Sequence, residues 1–109
     1  MLWAVHCLDA DDVLEIRQEA RAEHSARLRS GIVEPVCYGM LVSDDGGHAV
    51  GSLILVRAED RETVERYVAE DPFMIKGVWR KVTVSAFTES ANSPARLADT
   101  LVMTEETNR

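Results

Sequence analysis

Four short apolar runs with strand character alternate with two segments of helical spacing. Their order is strand, helix, strand, strand, helix, strand, and few folds accept it in a chain of 109 residues. Leu2–Leu8 (LWAVHCL) is a run of strand formers closed by the acidic cluster Asp9–Asp12 (DADD). Asp11 or Asp12 is placed to cap a helix, because an aspartate accepts from the free N–H groups of a first turn. That helix should run to about Ser30 and stop at Gly31. Val33–Val42 is a second extended segment, interrupted early by Pro35. Ser43–His48 (SDDGGH) is a turn, and Ala49–Ala58 (AVGSLILVRA) a strand, so the two segments form a hairpin with a longer loop. Asp60 is a cap for a second helix that carries Val64, Tyr67 and Val68 on one face. Trp79–Phe87 alternates, with Val82, Val84 and Ala86 on one side. This order is the split βαβ arrangement, a ferredoxin-like βαββαβ sandwich of the α+β class with both helices on one sheet face. The other face is left bare. In so short a chain it must meet another copy or a partner, and a homodimer through the open sheet face is expected.

A chain of 109 residues is one domain with little to spare, although 46% hydrophobic residues suffice for a core. The net charge of −7 argues against nucleic acid, which needs a concentrated basic patch. Lys76, Arg80 and Lys81 are the nearest thing to one and read as a solvated strand end. Cys7 and Cys37 lack CxxC spacing, lie in apolar runs and read as two buried free thiols in a reducing compartment. The chain opens directly on an apolar strand without a basic leader. No apolar run approaches the roughly 20 residues that cross a bilayer, so no membrane association and a cytoplasmic location are expected. The domain should span residues 1–88 and a C-terminal extension, partly helical or disordered, residues 89–109. Within the extension Ser93 is a potential cap, Pro94 suits a first helical position, and Leu97, Leu101 and Val102 follow at helical spacing. Thr104–Arg109 (TEETNR) should fray.

Projected at about 100° per residue, the first helix gathers Val13, Leu14, Ile16, Ala20 and Leu28 within roughly 160° as its buried stripe. His24 falls near the middle of that stripe, with Arg17 beside it and Arg21 toward its edge. Packing alone would favour Leu or Ile at His24. A buried imidazole needs partners for its nitrogens, or it costs about 1–3 kcal/mol. The plain alternative is a satisfied structural histidine. Asp71 is the natural candidate partner, one turn beyond Tyr67 and Val68 on the second helix. Asp71–Pro72 is also a cap followed by a first helical residue, which could start a short turn through Phe73 and Met74. A carboxylate has two oxygens, so both roles can hold together.

Arg17–Leu28 (RQEARAEHSARL) followed by Ala69–Trp79 (AEDPFMIKGVW) resembles the YCII-related proteins, small bacterial domains with an R…R..H.ARL helix and a later DPY or DPF before GV. The resemblance extends from Leu2 to about Phe87 and includes Gly51–Ser52. It implies a dimeric α+β barrel, similar in architecture to muconolactone isomerases, in a superfamily where one relative removes chloride from a chlorinated hydroxyhydroquinone. It also implies a His24–Asp71 pair as catalytic residues, with Arg21, Phe73 and Ser52 as pocket neighbours. Three features depart from the family pattern. Tyr38–Met40 (YGM) stands where AGP is common, Phe73 lacks the hydroxyl of the DPY tyrosine, and the chain continues past the usual end.

The residue types suit proton chemistry. An imidazole ordinarily titrates near 6.5 and can take a proton at neutral pH, and a carboxylate beside it fixes its tautomer. That fits proton abstraction next to a carbonyl, or elimination of a good leaving group. Arg17 or Arg21 could hold an anionic substrate oxygen. Ser52, mid-strand beside Gly51, does not read as a covalent nucleophile. His6, His24 and His48 show no ligand spacing, so no metal and no cofactor are expected. SDDGGH lacks the strand–loop–helix context of a phosphate cradle. Trp3 and Trp79 read as core or interface aromatics. Three functions follow: a small cofactor-free lyase or isomerase acting on a polar or aromatic metabolite, a non-catalytic metabolite-binding or accessory module, and a structural dimer with a buried polar tie.

Overall fold

The computed structural model describes residues 1–97. Its elements are β1 (Leu2–Asp9), α1 (Leu14–Leu28), β2 (Glu34–Val42), β3 (Ala49–Arg57), α2 (Arg61–Ala69), α3 (Pro72–Ile75) and β4 (Trp79–Phe87). The strands form one antiparallel sheet in the order β2-β3-β1-β4, which is the ferredoxin-like arrangement. Alternation along each strand decides what each face presents. Trp3, Val5 and Cys7 of β1 and Ser52, Ile54 and Val56 of β3 point under the helices and are buried. They join Ala20 and Leu28 of α1, Val64, Tyr67 and Val68 of α2, and Phe73, Val78 and Trp79 in the core. On β4, Val82 and Val84 pack on this core, whereas Ala86 is exposed.

The opposite face carries Ala4, His6 and Leu8 of β1 against Leu53 and Leu55 of β3, with Leu53 exposed. Cys37 pairs with Leu55 and therefore lies on this bare face. It is exposed, not buried as its apolar surroundings suggested. The other thiol, Cys7, is buried, and burial together with the nearby charges of Asp71 and Asp9 pushes it up to about 12.

The start of α1 differs from expectation. Neither Asp11 nor Asp12 caps it; Val13 holds the cap position without a side-chain bond, and Asp12 turns into the left-handed region at φ 56°. The buried stripe is Arg17, Ala20, His24 and Leu28, stepping by three and four residues. Leu14 and Ile16, placed in the stripe by hydrophobicity, are 50% and 37% exposed. Ile16 stands one residue, about 100°, from the track that Arg17 occupies. α2 is capped as expected, with Asp60 Oδ1 accepting from the Thr63 amide at 2.9 Å and from its hydroxyl at 2.7 Å.

In the extension, Ser93 Oγ donates to the Ala95 carbonyl at 2.8 Å, and the Leu97 amide donates to Glu89 at 2.6 Å. The expected helical positions Leu101 and Val102 lie outside the described residues, as does Thr104–Arg109. No helix of the described residues is long and apolar enough to cross a membrane.

Candidate active site

α3 is one turn long, and its start fixes the site. Asp71 is the cap residue, with extended backbone and Pro72 behind it, and its Oδ1 accepts from the Phe73 amide at 2.9 Å. The same carboxylate, fully buried, receives His24 Nδ1 at 2.9 Å from each oxygen. Cap and histidine partner are thus one residue doing both jobs. Arg27, one turn after His24 on α1, adds its Nη1 at 3.5 Å from Asp71 Oδ2 while donating to the Tyr67 carbonyl at 2.9 Å. The Tyr67 hydroxyl is buried near the same carboxylate without a bond of ordinary geometry. Burial and the Asp71 charge push that phenol upward.

A carboxylate only accepts, so the hydrogen of this contact sits on Nδ1, and Nε2 is the nitrogen left for the cavity. Two aromatic rings pack against the imidazole. Phe73 stacks on it at 4.1 Å between centroids and 13° between planes, and Trp79 meets it edge-on at 5.7 Å.

Arg17 is almost wholly buried and tied down. Its Nη1 donates to both oxygens of Asp9 at 3.1 and 3.2 Å, and its Nη2 to the Gly51 carbonyl at 2.9 Å and to Ser52 Oγ at 3.1 Å. Its guanidinium also covers the Phe73 ring at 4.7 Å. At Asp9, burial raises the carboxyl more than the Arg17 charge lowers it. Gly51 is required here: an added Cβ would run into the Cys7 carbonyl oxygen on the neighbouring strand.

α1 does not cover β2, and the gap between them is a cavity of about 570 Å³. Arg17, Arg21, His24, Ser52, Ile54 and Phe73 line one side of it, and Tyr38, Met40 and His48 the other. Tyr38 and Met40 reach it because they pair with Ile54 and Ser52, on the helix side of the sheet. No aspartate or glutamate is among the lining residues, although the chain carries a net charge of −7. Arg21 is exposed at the wall and has no hydrogen-bonded or ionic partner among the described residues. All six residues singled out in the sequence, His24, Asp71, Arg17, Arg21, Ser52 and Phe73, therefore meet in or against one cavity. Asp71 stands behind the imidazole and does not line the cavity itself.

Sequence reasoning missed Arg27, Asp9 and the site position of Trp79. Arg27 had a signal, lying three residues after His24 and so on nearly the same helix face. Asp9 and Trp79 reach the site only through strand pairing, since Asp9 pairs with Trp79 across β1 and β4. Among the described residues no group of three or more His, Cys, Asp or Glu converges as a metal site would.

A small α+β sandwich with a histidine–carboxylate contact behind an acid-free cavity is the class of protein that fold and site define. The YCII-related domain profile matches residues 1–88, and the chain belongs to that family. Protein YciI of Escherichia coli O6:H1 is 29% identical over 94 residues, covering 80% of this chain and 96% of that protein. The 5-chloro-2-hydroxyhydroquinone dehydrochlorinase TftG of Burkholderia phenoliruptrix AC1100, solved with 2,5-dihydroxybenzoquinone, superposes with a TM-score of 0.75. It is 23% identical, with 83% of this chain and 96% of that one covered. An antibiotic biosynthesis monooxygenase aligns at TM-score 0.53 and 15% identity, over 83% of this chain and 99% of its own. These two likenesses carry the fold.

Proposed function

We propose that the cavity binds a small anionic, oxygen-bearing metabolite and that His24 acts on it as a general base, in a lyase or isomerase reaction. The observation that carries this reading is His24 Nδ1 held 2.9 Å from both oxygens of buried Asp71, which leaves Nε2 to the cavity. Nε2 takes a proton from the bound molecule, and the electron pair left behind moves to the adjacent position. Either a leaving group then departs with its own pair, or the proton returns at another atom. Asp71 stabilises the imidazolium formed in the first step. Arg21, which lines the cavity without a partner among the described residues, receives the anionic group of the ligand. Tyr38 supplies a face for a flat ring, and Arg17 and Ser52 form the floor.

The bare sheet face is the proposed homodimer contact. Leu8, Leu53 and Leu55 form an apolar surface around His6, and a second copy offers the same surface in return, as an isologous interface requires.

The test supplies 5-chloro-2-hydroxyhydroquinone and measures chloride release by the wild type and by His24→Ala. 2,5-Dihydroxybenzoquinone is titrated in parallel, with NMR shifts locating it. Chloride release that falls roughly 10²–10⁴-fold in His24→Ala supports the base. Binding in the cavity without turnover of this or related quinols favours the second reading, a metabolite-binding module. That reading is supported by the same acid-free lining.

A further inference from the structure

Ser52 Oγ accepts two hydrogen bonds from the protein, one from Arg17 Nη2 at 3.1 Å and one from Trp79 Nε1 at 3.3 Å. A hydroxyl has two lone pairs and one hydrogen, so these bonds occupy both lone pairs and leave the hydrogen to be donated. None of the described residues accepts it. Ser52 is only 2% exposed, yet it lines the cavity. A buried donor without an acceptor costs free energy, and here the open direction is the ligand space.

Both Nη atoms of Arg17 are already engaged by the protein. Nη1 donates to Asp9, and Nη2 to the Gly51 carbonyl and Ser52. Its charge acts through the serine instead: a cationic donor on Oγ polarises the O–H bond and makes it a stronger donor. His24 and Ser52 both stand against Trp79, the first by its ring and the second by its hydroxyl, so proton removal and oxygen binding share one corner.

We infer that the Ser52 hydroxyl donates its hydrogen to a ligand oxygen that carries negative charge, the enolate or phenolate oxygen formed as His24 removes a proton. This rests on the acid–base reading above and adds the substrate class. The ligand presents a bare acceptor oxygen, of a ketone, quinone or phenolate, at Ser52. An amine or amide N–H at that position meets only donors and is refused. Preorganised donors of this kind act at the atom where charge develops.

The probe is 4-nitrophenol, whose absorbance distinguishes phenol from phenolate. It is titrated at a single pH at which the free compound is a mixture, with NMR shifts confirming the cavity. Wild type should bind the phenolate more tightly than the phenol. Ser52→Ala should weaken phenolate binding about 10-fold or more, with phenol binding changed less than about 3-fold, because a bond to a charged acceptor is the larger loss. Ser52→Cys, close in size and a weak donor, should fall between, and it carries the comparison if the alanine variant does not fold. Equal weakening of both forms would make Ser52 a structural residue and overturn the inference. Unchanged phenolate affinity would overturn it while leaving the cavity reading intact. A wild type that binds neither form in the cavity would overturn both.

Discussion

His24 sits where a leucine would pack, and Asp71 is what makes that position tolerable for an imidazole. A carboxylate fully buried beside Nδ1, bonded also to the Phe73 amide and near Arg27, can only accept. Long-range 1H–15N spectra of the wild type should therefore show Nδ1 protonated, with the neutral Nε2–H tautomer absent. In Asp71→Asn an amide can turn its NH2 toward Nδ1, so the Nε2–H tautomer should appear and activity should fall roughly 10²–10⁴-fold. A wild-type Nε2–H tautomer would sink the base assignment. The inward position of His24 was legible, because its spacing from Ala20 and Leu28 is helical. The aspartate's capping role was legible too, in the Asp-Pro pair. Their contact was legible only in outline: helix position made Asp71 the candidate partner and the family pattern paired the two, but the contact joins residues 47 apart in sequence. Arg17 shows the limit from the other side. Its side chain reads as a ligand-binding cation, but Gly51 and Ser52, on a strand 34 and 35 residues away, occupy its Nη2.

At the scale of elements, caps separate the two long helices. α2 has a cap read correctly from the sequence, whereas α1 begins at Leu14 after an aspartate cluster that does not cap it. An acid at a helix start is neither necessary nor sufficient, since Val13 holds the cap position of α1 and Asp12 takes the left-handed turn that leads into it. Hydrophobicity misplaced Leu14 and Ile16 for a related reason. The helix overhangs a cavity, so a polar track of Arg17 and His24 faces inward, Leu14 stands half-exposed at the cavity wall and Ile16 lies off the track. The Asp60 cap has a pH signature. Its bonds from the Thr63 amide and hydroxyl hold the carboxyl below its ordinary 3.8. The stabilisation is therefore complete above 3.8 and is lost as pH falls through the lower folded-state value. Thermal melts between neutral pH and about pH 2 should show the wild type losing more stability than Asp60→Asn, with the two converging at the acid end. Parallel curves would mean that the charged cap contributes nothing.

For the whole molecule the element order was enough to give the sheet and its bare face, because a βαββαβ chain has one economical way to cover a sheet with two helices. What covers the other face depends on chemistry between molecules, and the two thiols report on it. Cys7 lies under the helices with its pKa pushed up to about 12, and only a thiolate reacts, so it should resist thiol reagents as long as the chain is folded. Cys37 lies on the bare face opposite Leu55 and is exposed on a single chain. If two copies meet through that face, sedimentation should give twice 12.1 kDa, and Cys37 should react slowly in the dimer. Leu53→Glu places a charge in the middle of the apolar surface, where an unpaired buried charge is strongly disfavoured. It should give a folded monomer in which Cys37 alone is labelled, at the rate of an exposed thiol. A wild type that sediments as a monomer, with Cys37 labelled as fast as in Leu53→Glu, would mean that the face stays open and that the cavity is built by one chain alone.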